Sequence, residues 1–206
     1  MLDHVYWIGG GSGAGKSTIA RRLAARHRLR YYSTDDAMAD HVRRTTAEDS
    51  PYLSAFLAMD MDERWATRSP ETMLDTFHWY RGEGFGLIIE DLRQMPREPA
   101  VIVEGFRLLP HLLRPFAAPG QAVWLLPDRE FRRAAFESRG GLWTIAGRTS
   151  DPERALRNLL DRDRMFTDRL RAETTGLPAI EVGTAMTEDE LTALVSEALG
   201  LAGRGG

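Results

Sequence analysis

The chain has 206 residues, 43% of them hydrophobic and 28% charged, which is enough for one soluble domain with a buried core. A net charge of −3 gives no global basic field to gather nucleic acid or an acidic membrane, so neither is an expected partner. With no cysteine in the chain, disulfides, thiolate catalysis and cysteine-ligated metal centres are excluded.

Read from its start, the sequence shows no basic, cleavable leader and no apolar run long enough to span a bilayer, so a cytoplasmic protein is expected. Residues 4–9 (HVYWIG) form a short apolar run breaking into glycines, as a buried strand does. Residues 16–27 place Ile19, Ala20, Leu23 and Ala24 at helical spacing with arginines opposite. A second short strand is expected at 29–36 (LRYYSTDD), followed by a helical stretch from 36 to about 96 punctuated by Pro51, Pro70 and Pro96. "AVIVEG" (100–105) and "QAVWLLP" (121–127) read as strands covered on both faces. A helix over 128–140, a glycine-rich loop and a long helix from Asp151-Pro152 to about 173 come next. A last strand at 177–183 and a final amphipathic helix at 187–199 complete a strand–helix alternation, which implies a parallel sheet. A single domain over 1–206 is expected.

Gly10-Gly11-Ser12-Gly13-Ala14-Gly15-Lys16-Ser17 fits G-x-x-x-x-G-K-[ST], between a predicted strand and a predicted helix. Glycines let the backbone turn consecutive N–H groups toward one anion, and the helix that follows adds its positive end. Lys16 is the only lysine among 27 basic residues. A compact ammonium on a flexible stem tracks β- and γ-phosphates where a planar guanidinium fits poorly. Ser17 offers a hydroxyl to Mg²⁺, and Thr18 follows it on the helix. The cofactors expected are therefore ATP and Mg²⁺.

With that loop placed, the chain resembles the small P-loop kinases, the group of nucleoside monophosphate kinases, shikimate kinases and chloramphenicol phosphotransferases. The resemblance implies an α/β three-layer P-loop NTPase fold with a five-stranded parallel sheet of order 2-3-1-4-5. It also implies a helical substrate-binding segment (36–96) and a mobile lid (139–151) that excludes water. In shikimate kinase-like and chloramphenicol phosphotransferase-like families, an aspartate after the second strand accepts the acceptor's proton. Asp35 matches by position, with Asp36 beside it. The alternative is that Ser33 or Thr34 caps the next helix while both aspartates favour its positive end.

Glu104 ends an apolar strand, where ligands of open α/β sheets collect, and resembles a Walker B acid with glutamate in place of aspartate. It is a candidate for Mg²⁺ or substrate binding; capping of the following turn is the other reading. The resemblance also implies arginines near the lid that neutralise the migrating phosphoryl. Arg139 fits the lid entrance, and Arg133 and Arg162 are further nucleotide candidates.

In the acceptor segment, Arg43, Trp79 and Arg81 are candidate contacts. Gly82, Gly84 and Gly86 beside the aromatic run leave the backbone open, as close approach of a ring-bearing ligand requires. The expected function is transfer of the γ-phosphoryl group to a hydroxyl of a small molecule by a monomer or homodimer. A nucleoside or nucleotide kinase, and a nucleotide-dependent regulatory or toxin-like protein, stay open as alternatives.

Overall fold

The structure, a computed structural model, describes residues 2–139 and 141–203, with side chains at 135–143 outside the description. Five strands, β1 (Val5–Gly10), β2 (Arg30–Ser33), β3 (Val101–Glu104), β4 (Ala122–Pro127) and β5 (Ala179–Val182), pair in parallel in the order β2-β3-β1-β4-β5. This is the order expected. β1, β3 and β4 are buried along their whole length because helices cover both faces.

Alternate residues of each strand feed two cores. Tyr6, Ile8, Ile102, Val123 and Leu125 pack against α1 (Lys16–His27) and α10 (Glu188–Ala198) through Ile19, Leu23, Leu191 and Val195. Val5, Trp7, Val101, Val103 and Trp124 face the other way, onto Phe85, Ile88, Ile89 and Leu92 of α5 (Phe85–Gln94). Each large apolar side chain so buried contributes roughly 1.5–3 kcal/mol.

Between β2 and β3 the chain is helical, as expected: α2 (Met38–Arg44), α3 (Pro51–Ala58), a π turn (Glu63–Thr67), α4 (Pro70–Thr76), a 3₁₀ turn (His78–Arg81) and α5. α6 (Pro110–Leu113) follows β3, and α7 (Arg129–Arg139) follows β4, with the Asp128 carboxylate capping the Phe131 N–H. Part of the expected glycine-rich loop is instead a short helix, α8 (Gly141–Ala146). α9 (Pro152–Glu173) joins this side of the molecule to the acceptor segment. Its Phe166 stacks on Tyr80 at 3.8 Å, and its Leu159 packs with Trp65 and Met73.

α3 has an unusual start. Its preceding residue, Ser50, makes no capping bond; the Glu83 carboxylate accepts from the Tyr52 and Leu53 N–H groups at 3.0 and 2.8 Å. A distant side chain thus satisfies donors that a local cap usually takes.

Two glycines fix how the strand ends meet. Gly10 (φ 130°) lies so close to β4 that a Cβ would overlap the Leu125 carbonyl. Gly105 (φ 150°) lies against the end of β2, where a Cβ would overlap Thr34 Oγ1. Gly105→Ala combines backbone strain with a clash against a fully buried threonine. It is expected to lower unfolding free energy by about 3 kcal/mol or more. Urea denaturation checks this; an unchanged midpoint would contradict the packing just described.

Candidate active site

The site forms where β2, β3 and β1 end side by side, with Ser33 and Ile8 both in register with Glu104. The Gly11 N–H donates to Leu125 O at 3.0 Å and ties the start of the loop to β4. Beyond it, the backbone N–H groups of Ser12, Gly13, Gly15, Ser17 and Thr18 make no hydrogen bond among the described residues. α1 begins there with no acidic residue in its first turn and no side-chain cap, so its positive end is also uncompensated. Lys16 is 8% exposed and donates through Nζ to Gly11 O at 2.7 Å, folding its ammonium over the loop. Ala14 is buried at the base of the loop. Together these groups form a concave, electropositive nest of the kind that binds phosphate.

Asp35 sits on the turn leaving β2. The Thr34 N–H donates to Glu104 O at 3.0 Å, and the Asp36 N–H donates to Ser33 Oγ at 3.2 Å. Ser33 therefore closes this turn, and α2 starts with no side-chain cap, so the capping alternative fails for Ser33 and Thr34. Asp35 keeps a water-facing side chain, yet the mass of protein around it is the largest influence on its carboxyl group and pushes its pKa up. The Lys16 ammonium opposes this rise, and the neighbouring Glu104 adds to it. Asp36 is exposed beside it.

Glu104 is 1% exposed, and its Oε1 accepts from Tyr31 Oη at 2.8 Å. Burial, then Glu104, drives the Tyr31 hydroxyl up to about 12, so it stays a donor. Among the described residues, Glu104 Oε2 has no hydrogen-bond partner. A buried carboxylate oxygen left unbonded is costly unless something arrives to use it. That oxygen and the Ser17 hydroxyl, also without a hydrogen bond, are hard oxygen donors suited to Mg²⁺. Among the described residues no group of three or more His, Asp or Glu forms a metal cage. Phosphate oxygens and water would have to complete such a shell.

Of the remaining sequence candidates, Arg43, Arg81 and Trp79 are turned to partners of their own. Arg43 is exposed and donates to Asp40 at 3.1 Å. Arg81 is exposed, lies 4.1 Å over the Tyr52 ring and donates to Asp75 O. Trp79 is 4% exposed and forms a platform under Arg107, 4.0 Å from its ring centre, so it is interior packing. The open backbone expected at the glycines is filled from within. A Cβ on Gly82 would meet Leu112 at 2.8 Å, and one on Gly84 would meet Arg107 and Trp79 at 3.0 Å. Arg162 is 6% exposed and pinned by two hydrogen bonds to Asp163, 4.8 Å over Phe77, with Nη1 unpartnered. It sits in the wall formed with Phe77 and Tyr80, on the helix whose Thr167 lies against Gly11 of the loop. Arg133 is exposed on α7, and the side chain of Arg139 lies outside the described residues.

Sequence reading passed over Arg107. It is 2% exposed, donates through Nη1 to His41 Nδ1 at 2.9 Å and to Thr34 O at 3.3 Å, and through Nη2 to Gly84 O at 3.0 Å. A guanidinium only donates, so His41 Nδ1 is the acceptor and its proton sits on Nε2, which donates to Asp91 Oδ2 at 2.8 Å. Asp91 also accepts from Tyr32 at 2.7 Å and from Arg44 at 2.6 Å. The available signal was one charge inside the apolar run GFRLLP, the mark of a buried cation.

No helix among the described residues is long and apolar enough to cross a membrane. No family model matches the chain, and no curated protein matches it. Among solved structures, the deoxyadenosine kinase from M. mycoides with bound dATP is similar at a TM-score of 0.50 and 11% identity, covering 95% of this chain and 99% of that one. TT1252 from Thermus thermophilus is similar at 0.50 and 15%, covering 97% and 98%. At these identities the likeness concerns architecture. Sheet order, loop geometry and these neighbours agree: the chain has the fold of the small P-loop kinases.

Proposed function

We propose that the protein is an ATP- and Mg²⁺-dependent phosphotransferase that moves the γ-phosphoryl group to a hydroxyl of a small molecule. The observation that carries this reading is the set of N–H groups at Ser12, Gly13, Gly15, Ser17 and Thr18 that bond to nothing among the described residues, with the Lys16 ammonium folded over the loop. So many aligned donors at a helix start have one common use, holding a polyphosphate.

In this reading the loop amides and Lys16 hold the β- and γ-phosphates. Ser17 and Glu104 Oε2 would hold Mg²⁺, which when bound neutralises charge on the phosphate oxygens. Asp35 orients the acceptor hydroxyl and accepts its proton. The freed oxygen bonds to the γ-phosphorus as the bond to the bridging β–γ oxygen breaks, releasing ADP. A carboxylate with a raised pKa is a better proton acceptor than an ordinary surface aspartate. The helical segment from 38 to 94 supplies the acceptor wall.

A nucleoside acceptor is the second reading, supported by the named activity of the deoxyadenosine kinase neighbour. A nucleotide acceptor has less support, because Arg43 and Arg81, the residues expected to hold its phosphate, are turned to Asp40 and Tyr52. The test is a screen of hydroxylated metabolites, nucleosides and antibiotic-like alcohols, scored by ADP formation from MgATP. An acceptor that raises ADP formation at least ~10²-fold over the protein with MgATP alone is expected. ADP formation indifferent to every acceptor, together with no MgATP binding by calorimetry, would remove the phosphotransferase reading.

A further inference from the structure

Arg107 presents a physical problem of its own. It is one of the largest fully buried side chains, and a buried guanidinium ordinarily faces a carboxylate. Here its partners are two carbonyls and a neutral imidazole; its Nε–H has no partner, and among the described residues no carboxylate is paired with it. Among those residues no carboxylate touches it; Asp35 and Asp91 act on its charge only from a distance. Such an arrangement is costly, and it persists where the charge acts on something it does not touch.

The nearest use is Asp35. Arg107 grips the residue before it through Thr34 O, and Thr34 is fully buried with no room to shift past Gly105. Its other bonds reach α2 through His41 and the acceptor segment through Gly84 O. His41 is in turn fixed by Asp91, which Tyr32 and Arg44 also hold. The guanidinium is therefore locked at one place by three elements, with its carbon 4.0 Å over the Trp79 ring. Yet it makes no hydrogen bond or ion pair with Asp35.

We infer that Arg107 is a positioning residue for Asp35: it clamps the turn that carries that carboxylate and acts as a fixed counter-charge without contact. A direct salt bridge would occupy the oxygen that must receive the acceptor's proton; a charge held one step away leaves the oxygen free. The groups acting on Asp35 are Lys16 from the loop, Glu104 from β3 and Arg107 from the segment after it, with the Thr34 hydroxyl donating at 3.4 Å and the titratable Tyr80 of the 3₁₀ turn coupled to it. Lys16 and Arg107 both favour the ionised carboxylate, and Glu104 opposes them. The inference rests on the reading of Asp35 as the proton acceptor, but its measurement does not.

The test is a direct titration of the Asp35 side-chain carboxyl carbon by ¹³C NMR in the full chain, assigned by its disappearance in Asp35→Asn. In Arg107→Met the midpoint is expected about one pH unit above wild type. In Arg107→Lys, which breaks the three-way clamp but keeps the charge, it stays near wild type. A purely structural role predicts that the two variants behave alike, so equal midpoints overturn the inference, as does Arg107→Met at the wild-type value. Should Arg107→Met not fold, the wild-type protein suffices. The Arg107 Nε–H resonance is expected to shift with the Asp35 midpoint, and to lose that shift in Asp35→Asn; a flat trace overturns the inference. If Asp35→Asn transfers phosphoryl normally, only the proton-acceptor reading fails and the titration result stands.

Discussion

Lys16→Ala is expected to lower phosphoryl transfer by about 10²–10³-fold or more while the chain still folds. The ammonium is buried against Gly11 O, where it can follow a phosphate from ground state to transition state on its four-carbon stem. Its removal leaves one carbonyl without this donor, worth about 1 kcal/mol, while the apolar side chains of the two cores stay in place. It also removes one of the two cations that favour the ionised Asp35. Lys16→Arg is expected to fail nearly as badly, because a broad planar fork does not fit where the ammonium folds back. ADP release with the screened acceptor, beside a thermal melt, decides the matter. A Lys16→Ala protein with wild-type turnover would end the mechanism.

Asp35→Asn is expected to reduce transfer by about 10²–10⁴-fold with MgATP binding retained, since the amide cannot accept the acceptor's proton. The sign of its effect on stability is opposite. The folded-state pKa of Asp35 is raised, so the fold favours the protonated form. Stability contributed by this group is present at low pH and is lost as pH rises through the raised value. At neutral pH the ionised carboxylate is thus a burden on the fold, and an asparagine, shaped like the neutral acid, relieves it. Asp35→Asn should melt at or above the wild-type temperature at pH 7 and lose that advantage near pH 3. In wild type, transfer should fall with acid as the carboxylate protonates. A variant that keeps its turnover would reassign the base; one that melts earlier at neutral pH would contradict the shift.

The fold and the loop were legible in the sequence because their signals are local. Residues 10 to 17 carry the nest in consecutive positions, and a run such as AVIVEG declares a doubly covered strand by itself. The acceptor side was not legible in the same way. Arg107 meets His41 across 66 positions, and His41 meets Asp91 across 50, so no spacing announces them. Trp79 and Arg81 are expected as ligand contacts from the glycines beside them and Arg43 from its place in the acceptor segment, and neither signal says where a side chain turns. Trp79 turned inward under a guanidinium, while the two arginines turned to the surface. The glycines at 82 and 84 did mark a close approach, but the approaching groups are the chain's own.

The carboxylate of Glu83 has a mechanical meaning. It suspends the start of α3, and the next residue, Gly84, is bonded to Arg107, which is bonded to the shoulder of Asp35. Four stretches far apart along the chain are thus riveted into a single rigid panel. No hinge can work inside that panel without tearing several of these joints at once, so whatever gap admits an acceptor must open along a different border.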